Sequence, residues 1–173
     1  MENTTLSATA TAITPEQLLK HWQGHRGLTR RMIEAFPEDQ LFTFSIGGMR
    51  PFSALLMEFF SMAFPSVYGV VTGEWVANDV LLKDAGVETK PTNKAEFLQL
   101  WDAVTEKLNE WWPKINAADF NKEIKAFDQY DGTVIGILLY IIDNEIHHRG
   151  QAYVYLRALN VEPPPFWDRS QDL

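Results

Sequence analysis

The chain has no cysteine, so any reactive centre must be built without a thiol. Disulfides, thiolate nucleophiles and cysteine-ligated zinc or iron–sulfur sites are excluded together. Four histidines remain, His21, His25, His147 and His148. The most informative stretch is Asp143-Asn144-Glu145-Ile146-His147-His148-Arg149-Gly150-Gln151. At 100° per helical residue Asn144 and His148 fall on one side, shared with Ile141, Gln151 and Tyr155. They border the apolar stripe of Leu138, Ile142, Tyr153 and Leu156, whereas Asp143 and His147 point away from it. An i, i+4 pair of donor side chains on the inner edge of a bundle is the geometry that helical metal sites use. The same pair also serves as an ordinary hydrogen-bonded core histidine and its partner.

Two further features invite chemistry. Glu58, in Leu55-Leu56-Met57-Glu58-Phe59-Phe60, borders an apolar face. A carboxylate there needs a cation, a metal or hydrogen bonds, because burying it alone is expensive; reaching solvent or pairing with an arginine satisfies it equally. His21 and His25 repeat the i, i+4 spacing, with His25 on the stripe of Trp22 as a candidate pocket wall and His21 toward solvent. Tyr155 and Gln151 are further candidate wall residues.

Four long helices must position these groups. Thr14-Pro15-Glu16-Gln17 predicts a capping box with proline at the first helical position. Behind it Leu18, Trp22, His25, Thr29, Met32 or Ile33, and Phe36 recur at three- and four-residue steps up to Pro37. A second helix is expected from Phe52 to about Val71, burying Leu55, Leu56, Phe59, Met62 and Ala63, with Pro65 predicting a kink or an early end. Residues 73–92 read as a crossover with a short helix near Val76–Leu82. Asn93 and Glu96 cap a third helix whose Phe97, Trp101, Val104, Leu108, Trp111 and Ile115 form a bundle seam, ended by Pro113. The fourth begins at Asp131 or Thr133 and reaches Leu159, with Asn160 as its left-handed exit. Its segment Val134–Ile142 is apolar nearly all round and is expected at the bundle centre. The aromatics of the Pro163-Pro164-Pro165-Phe166-Trp167 tail are expected to pack back over the helices. No stretch alternates over a strand length between hairpin turns. The fold class is therefore all-α, an antiparallel four-helix bundle in one domain spanning 14–173, after a tail of residues 1–13.

The 173 residues are 46% hydrophobic and carry a net charge of −8. Duplex binding draws on lysine and arginine to neutralise phosphates, and no basic run supplies it; Arg26, Arg30 and Arg31 read as a solvated helix face. Nucleic acid is disfavoured as a partner. No apolar run nears the roughly 18 residues of a membrane span, and Met1–Ala12 lacks the build of a signal peptide. A cytoplasmic protein without a membrane partner is the expectation.

The run Ile141–Gln151, with His148-Arg149-Gly150-Gln151 at its end, resembles the signature of the DinB/YfiT-like metalloenzyme family, whose fourth helix commonly reads His-x-x-x-His-Arg-Gly-Gln. Tyr155–Pro164 resembles the family's exit from that helix, and Met49–Glu58 resembles its second-helix entry, which commonly ends in a metal-binding histidine. The similarity spans about Thr14 to Trp167. It implies a four-helix bundle, often a homodimer. It also implies a divalent metal such as zinc or nickel on one second-helix and two fourth-helix histidines, and activities that include thiol-dependent transfer on small molecules. Carried onto this chain, the ligand positions are Glu58, Asn144 and His148, of which His148 alone is histidine. Carboxylate oxygen, amide oxygen and imidazole are all legitimate donors, though the neutral amide weakens the set. The resemblance thus implies a metal-dependent transferase or hydrolase acting on a small molecule or thiol. The alternative is a metal-free Glu58–His148 polar network in a non-catalytic binding or dimerisation protein.

Overall fold

A computed structural model describes residues 12–170; most of the proposed N-terminal tail lies outside them. The chain forms α1 (Pro15–Ala35), α2 (Phe52–Thr72), the short α3 (Asn78–Leu81), α4 (Lys94–Trp111), two 3-10 turns (Trp112–Lys114 and Ala117–Asp119), β1 (Glu123–Ala126), β2 (Tyr130–Thr133) and α5 (Val134–Ala158). It is mostly helical, and α1 and α2 each pack against both α4 and α5.

Local chemistry explains the helix starts. The Thr14 hydroxyl accepts from the Gln17 amide at 3.2 Å while the Gln17 side chain accepts from the Thr14 amide at 2.9 Å, so two N–H groups that lack intrahelical partners are satisfied reciprocally. Asn93 caps α4 by accepting from the Glu96 amide, and Thr133 caps α5 by accepting from Gly136. Asn160 leaves α5 with φ 57°. The predicted stripes pack as expected: Leu18, Trp22, His25, Thr29 and Phe36 are buried on α1, and Phe97, Trp101, Val104 and Leu108 on α4. The helix α2 runs through Pro65 instead of ending there. By length and mean hydropathy (1.5) it could cross a membrane, yet 56% of that stretch is buried among the other helices, as befits a core helix.

Several expectations are overturned. A two-stranded antiparallel hairpin precedes α5, with Glu123 opposite Thr133 and Ala126 opposite Tyr130. Its strands are four residues long, and its turn uses Phe127 and Asp128 at positive φ (53° and 57°) in place of glycine, so neither alternation nor a glycine turn announced it. Phe127 holds this uncommon conformation packed against Trp75, ring centroids 4.8 Å apart. The segment Val134–Ile142 is not enclosed on all sides, because Leu139 and Tyr140 are exposed. Phe166 and Trp167 stay 62% and 72% exposed; the tail is held instead by its backbone, with Arg31 donating to the Asp168 and Ser170 carbonyls at 2.6 and 3.0 Å. Nor is Arg26 part of a solvated face: it is buried between α1 and α4, its Nε donating to Thr105 at 2.9 Å and its guanidinium 3.9 Å from the Trp101 ring centre.

Candidate functional site

Glu58 on α2 meets Asn144 and His148 on α5. Asn144 Nδ2 donates to Glu58 Oε1 at 2.8 Å, and His148 Nε2 lies 3.1 Å from the same oxygen. The other carboxylate oxygen accepts from Arg50. Gln151 Oε1 lies 3.1 Å from His148 Nδ1, so the ring is held at both nitrogens, and the position of its proton sets the direction of each contact. Without a cation Nε2 must carry a proton to donate to Glu58; with the proton on Nδ1 instead, the Nε2 lone pair would be available to a cation lying between the two. The Phe59 ring packs over the imidazole at 6.1 Å between centroids. His148 is 12% exposed and Glu58 26%. Burial pushes the Glu58 carboxyl up, but hydrogen bonds from Asn144, Arg50 and His148 together outweigh it and hold it below the ordinary glutamate value.

Arg50 is the contributor that sequence reasoning missed. It stands in the loop before α2, and its carbonyl accepts from the Tyr155 hydroxyl at 2.9 Å, so Tyr155 positions this loop from within the core and is no pocket wall. Gln151 does join the site, through His148. His147 is exposed and its ring contacts Gln151 from outside. His25 does not reach the Glu58 cluster; it belongs to the opposite side of α5, with Arg149.

Glu58 is also a wall of a cleft of about 790 Å³ between α2, the hairpin and the start of α5. Ser61, Met62, Phe127, Tyr130 and Ile137 share that wall. The volume is that of a small-molecule site. Its hairpin side is held by Trp75, whose ring lies over Gly69 where a Cβ would stand 2.4 Å from it.

The donor set can be tested against a divalent cation. Asn144 Oδ1 is buried and has no hydrogen-bond partner. Which end of an amide is oxygen is assigned from its bonds, and here the NH2 end faces Glu58. Turning the amide over would bring its oxygen against the carboxylate, which is repulsive unless a cation joins them. One carboxylate oxygen, one amide and one imidazole from two helices thus fit a cation of the zinc or nickel class. The fit is that of a weak site: Arg50 already neutralises part of Glu58, and among the described residues no three His, Cys, Asp or Glu side chains gather anywhere.

A second buried cluster lies across α5, and sequence reasoning did not single it out. Glu145 is 3% exposed and Arg149 4%. Glu145 accepts from Trp22 Nε1 at 2.9 Å and from the Thr29 hydroxyl at 2.7 Å, with Arg26 and Arg149 each 3.7 Å away. Arg149 donates to the His25 carbonyl and to Thr29, both at 3.1 Å, and contacts His25 Nδ1 at 2.8 Å. The signal was in the spacing. Leu138, Ile142, Glu145, Arg149, Ala152 and Leu156 alternate four and three like a seam, and so do Trp22, Arg26, Thr29 and Ile33. Charged residues occupying seam positions on two helices mark a buried network.

The DinB family model matches residues 127–171, which hold Asn144 and His148. A DinB-like protein of Bacillus subtilis has a similar structure, with TM-score 0.67 and 20% identity over 87% of this chain and 97% of that one. A DinB-like protein of Bacillus cereus aligns with TM-score 0.62 and 19% identity over 87% and 95%. No curated protein matches. By its fold along most of its length and by its sequence over the last helix and tail, the chain is recognised as DinB-like.

Proposed function

We propose that the chain is a DinB-like enzyme, built as an antiparallel four-helix bundle, that acts on a small molecule beside a divalent cation held by Glu58, Asn144 and His148. The observation that carries this reading is the position of Glu58, which contacts both α5 donors and forms a wall of the 790 Å³ cleft. A substrate in that cleft would lie against the polar cluster with Met62, Phe127 and Ile137 around it. A cation bound there supplies Lewis-acid polarisation of a substrate or lowers the pKa of a bound water or thiol, the chemistry of a transferase or hydrolase. The protein's own part is positional. Gln151 orients His148 through Nδ1, Phe59 backs its ring, and Arg50 helps keep Glu58 ionised.

One observation favours a second reading, a metal-free binding protein. Arg50, Asn144 and His148 can between them satisfy the Glu58 carboxylate as a closed polar network.

Metal analysis of protein purified without an affinity tag, followed by calorimetric titration with zinc and with nickel, separates the two. The enzyme reading predicts one equivalent bound, lost in Glu58→Ala and His148→Ala, and tightened by about tenfold in Asn144→Asp, where a carboxylate replaces the neutral amide. Absence of uptake by the unmodified protein would leave the polar-network reading standing.

A further inference from the structure

The chain is acidic as a whole, yet positive charge collects on the side of α5 opposite Asn144 and His148. Arg149, Arg157 and Arg169 line a cleft of about 390 Å³ between the second half of α5 and the tail. Glu162 is the one acid on its wall, and Arg157 already bonds it at 3.3 Å.

The remaining two guanidiniums are poorly matched. Arg149 is buried against neutral acceptors, and its nearest carboxylate, Glu145, is shared with Arg26. Arg169 contacts the same His25 Nδ1 that Arg149 contacts. That nitrogen has a single lone pair, so one of the two arginines lacks a full acceptor. Among the described residues Arg169 forms no ion pair. Burial first, then Arg149, Arg169 and His21, push His25 down to about 3, so the imidazole stays neutral and adds no further charge. The field also reaches Tyr153: burial raises its phenol, while Arg149, Arg169, Arg31 and Arg157 all pull it down.

The opposite wall is aromatic. Phe166 and Trp167 are exposed and pack edge to face, centroids 5.4 Å apart. These walls are tied in place. The Tyr153 hydroxyl donates to the Pro164 carbonyl at 2.6 Å, and Arg169 lies on α1 where Gly24 has no side chain, a Cβ there falling 3.2 Å from the arginine's own. Guanidiniums in excess of the carboxylates around them, beside an exposed aromatic pair in a cleft near the small end of ligand sites, answer to a planar anion.

We propose that this cleft binds a small organic anion with a flat apolar body, its acidic group on Arg149 and Arg169 and its ring on Phe166 and Trp167. The site is separate from the Glu58 cluster and stands whether or not that cluster holds a cation.

The test is a nuclear magnetic resonance titration of the full-length 15N-labelled chain with 1-naphthoate, alongside neutral 1-naphthalenemethanol and inorganic phosphate. The expected result is saturable shifts at the Trp167 indole and at the amides of 149–153 and 166–169. Neutral naphthalenemethanol and inorganic phosphate should each bind about tenfold or more weaker than naphthoate, and Arg169→Ala should weaken naphthoate by a similar factor. Trp167→Ala should weaken it severalfold, and Glu58→Ala should leave it unchanged. Both Arg169 and Trp167 are exposed, so these variants should keep the fold; an unchanged circular dichroism melt checks this. Three results would overturn the proposal: no saturation with naphthoate, equal affinity in Arg169→Ala, or shifts confined to residues around Glu58.

Discussion

Single side chains decide where charge can sit in this protein, and two of them set its response to acid. His25 is neutral in the fold, its value driven to about 3 by burial and by Arg149, Arg169 and His21. The unfolded chain takes up a proton near the ordinary 6.5, so the stability that a neutral His25 represents is complete above 6.5 and drains away as pH falls toward 3. Asn in its place offers an oxygen near Nδ1 but cannot titrate. The thermal midpoint of His25→Asn should therefore fall less than the parent's between pH 6.5 and 4. Glu58 works lower on the scale: held below its ordinary 4.5, it contributes fully above that value and is lost as pH drops through its folded value. Glu145 carries more weight because it is buried with two guanidiniums. Removing its charge in Glu145→Ala leaves Arg26 and Arg149 unpaired and should cost about 3–5 kcal/mol in denaturant unfolding. A loss under 1 kcal/mol would mean that water already reaches them. Of these residues, Asn144 and His148 were legible from their place beside an apolar stripe. Glu145 and Arg149 were not picked out, although their four–three spacing puts them on the seam. Arg50 could not be found from spacing at all, since it reaches Glu58 from a loop.

At the scale of elements, caps and seams wrote most of the fold. Thr14, Asn93 and Thr133 each begin a helix where a side-chain oxygen meets an unpaired amide, and Thr14→Ala should cost about 1 kcal/mol of stability. What the sequence concealed is the hairpin. Its identity rests on contacts across the chain, with Val134 and Ile135 amides donating to the Lys122 and Phe120 carbonyls at 3.1 and 2.9 Å and Phe127 packed on Trp75. Four-residue strands give period-two patterning too little length to stand out. Gly69 is the hidden partner in this arrangement. A methyl there would fall 2.4 Å from the Trp75 ring, so Gly69→Ala must displace Trp75 and, through Phe127, the hairpin wall of the larger cleft. A loss of about 1–3 kcal/mol is expected, together with changed amide shifts across 123–133. An unperturbed hairpin in that variant would show that Trp75 is not what holds it.

On the scale of the whole molecule, α5 divides two kinds of site. One side gives Asn144 and His148 to Glu58 beside the larger cleft; the other gives Arg149 and Tyr153 to the arginine-lined cleft under the tail. The tail's backbone, not its aromatics, closes the fold, because proline cannot extend α5 and Arg31 binds the chain beyond it. That leaves Phe166 and Trp167 free to face solvent and a ligand. The measurement that bears most directly on the proposed function is the state of the His148 ring, read from imidazole 15N shifts during zinc titration. The account predicts that Nε2 moves to the shift of a metal-bound nitrogen at one equivalent, while Nδ1 stays protonated on Gln151. A His148 signal that zinc leaves unmoved would contradict it.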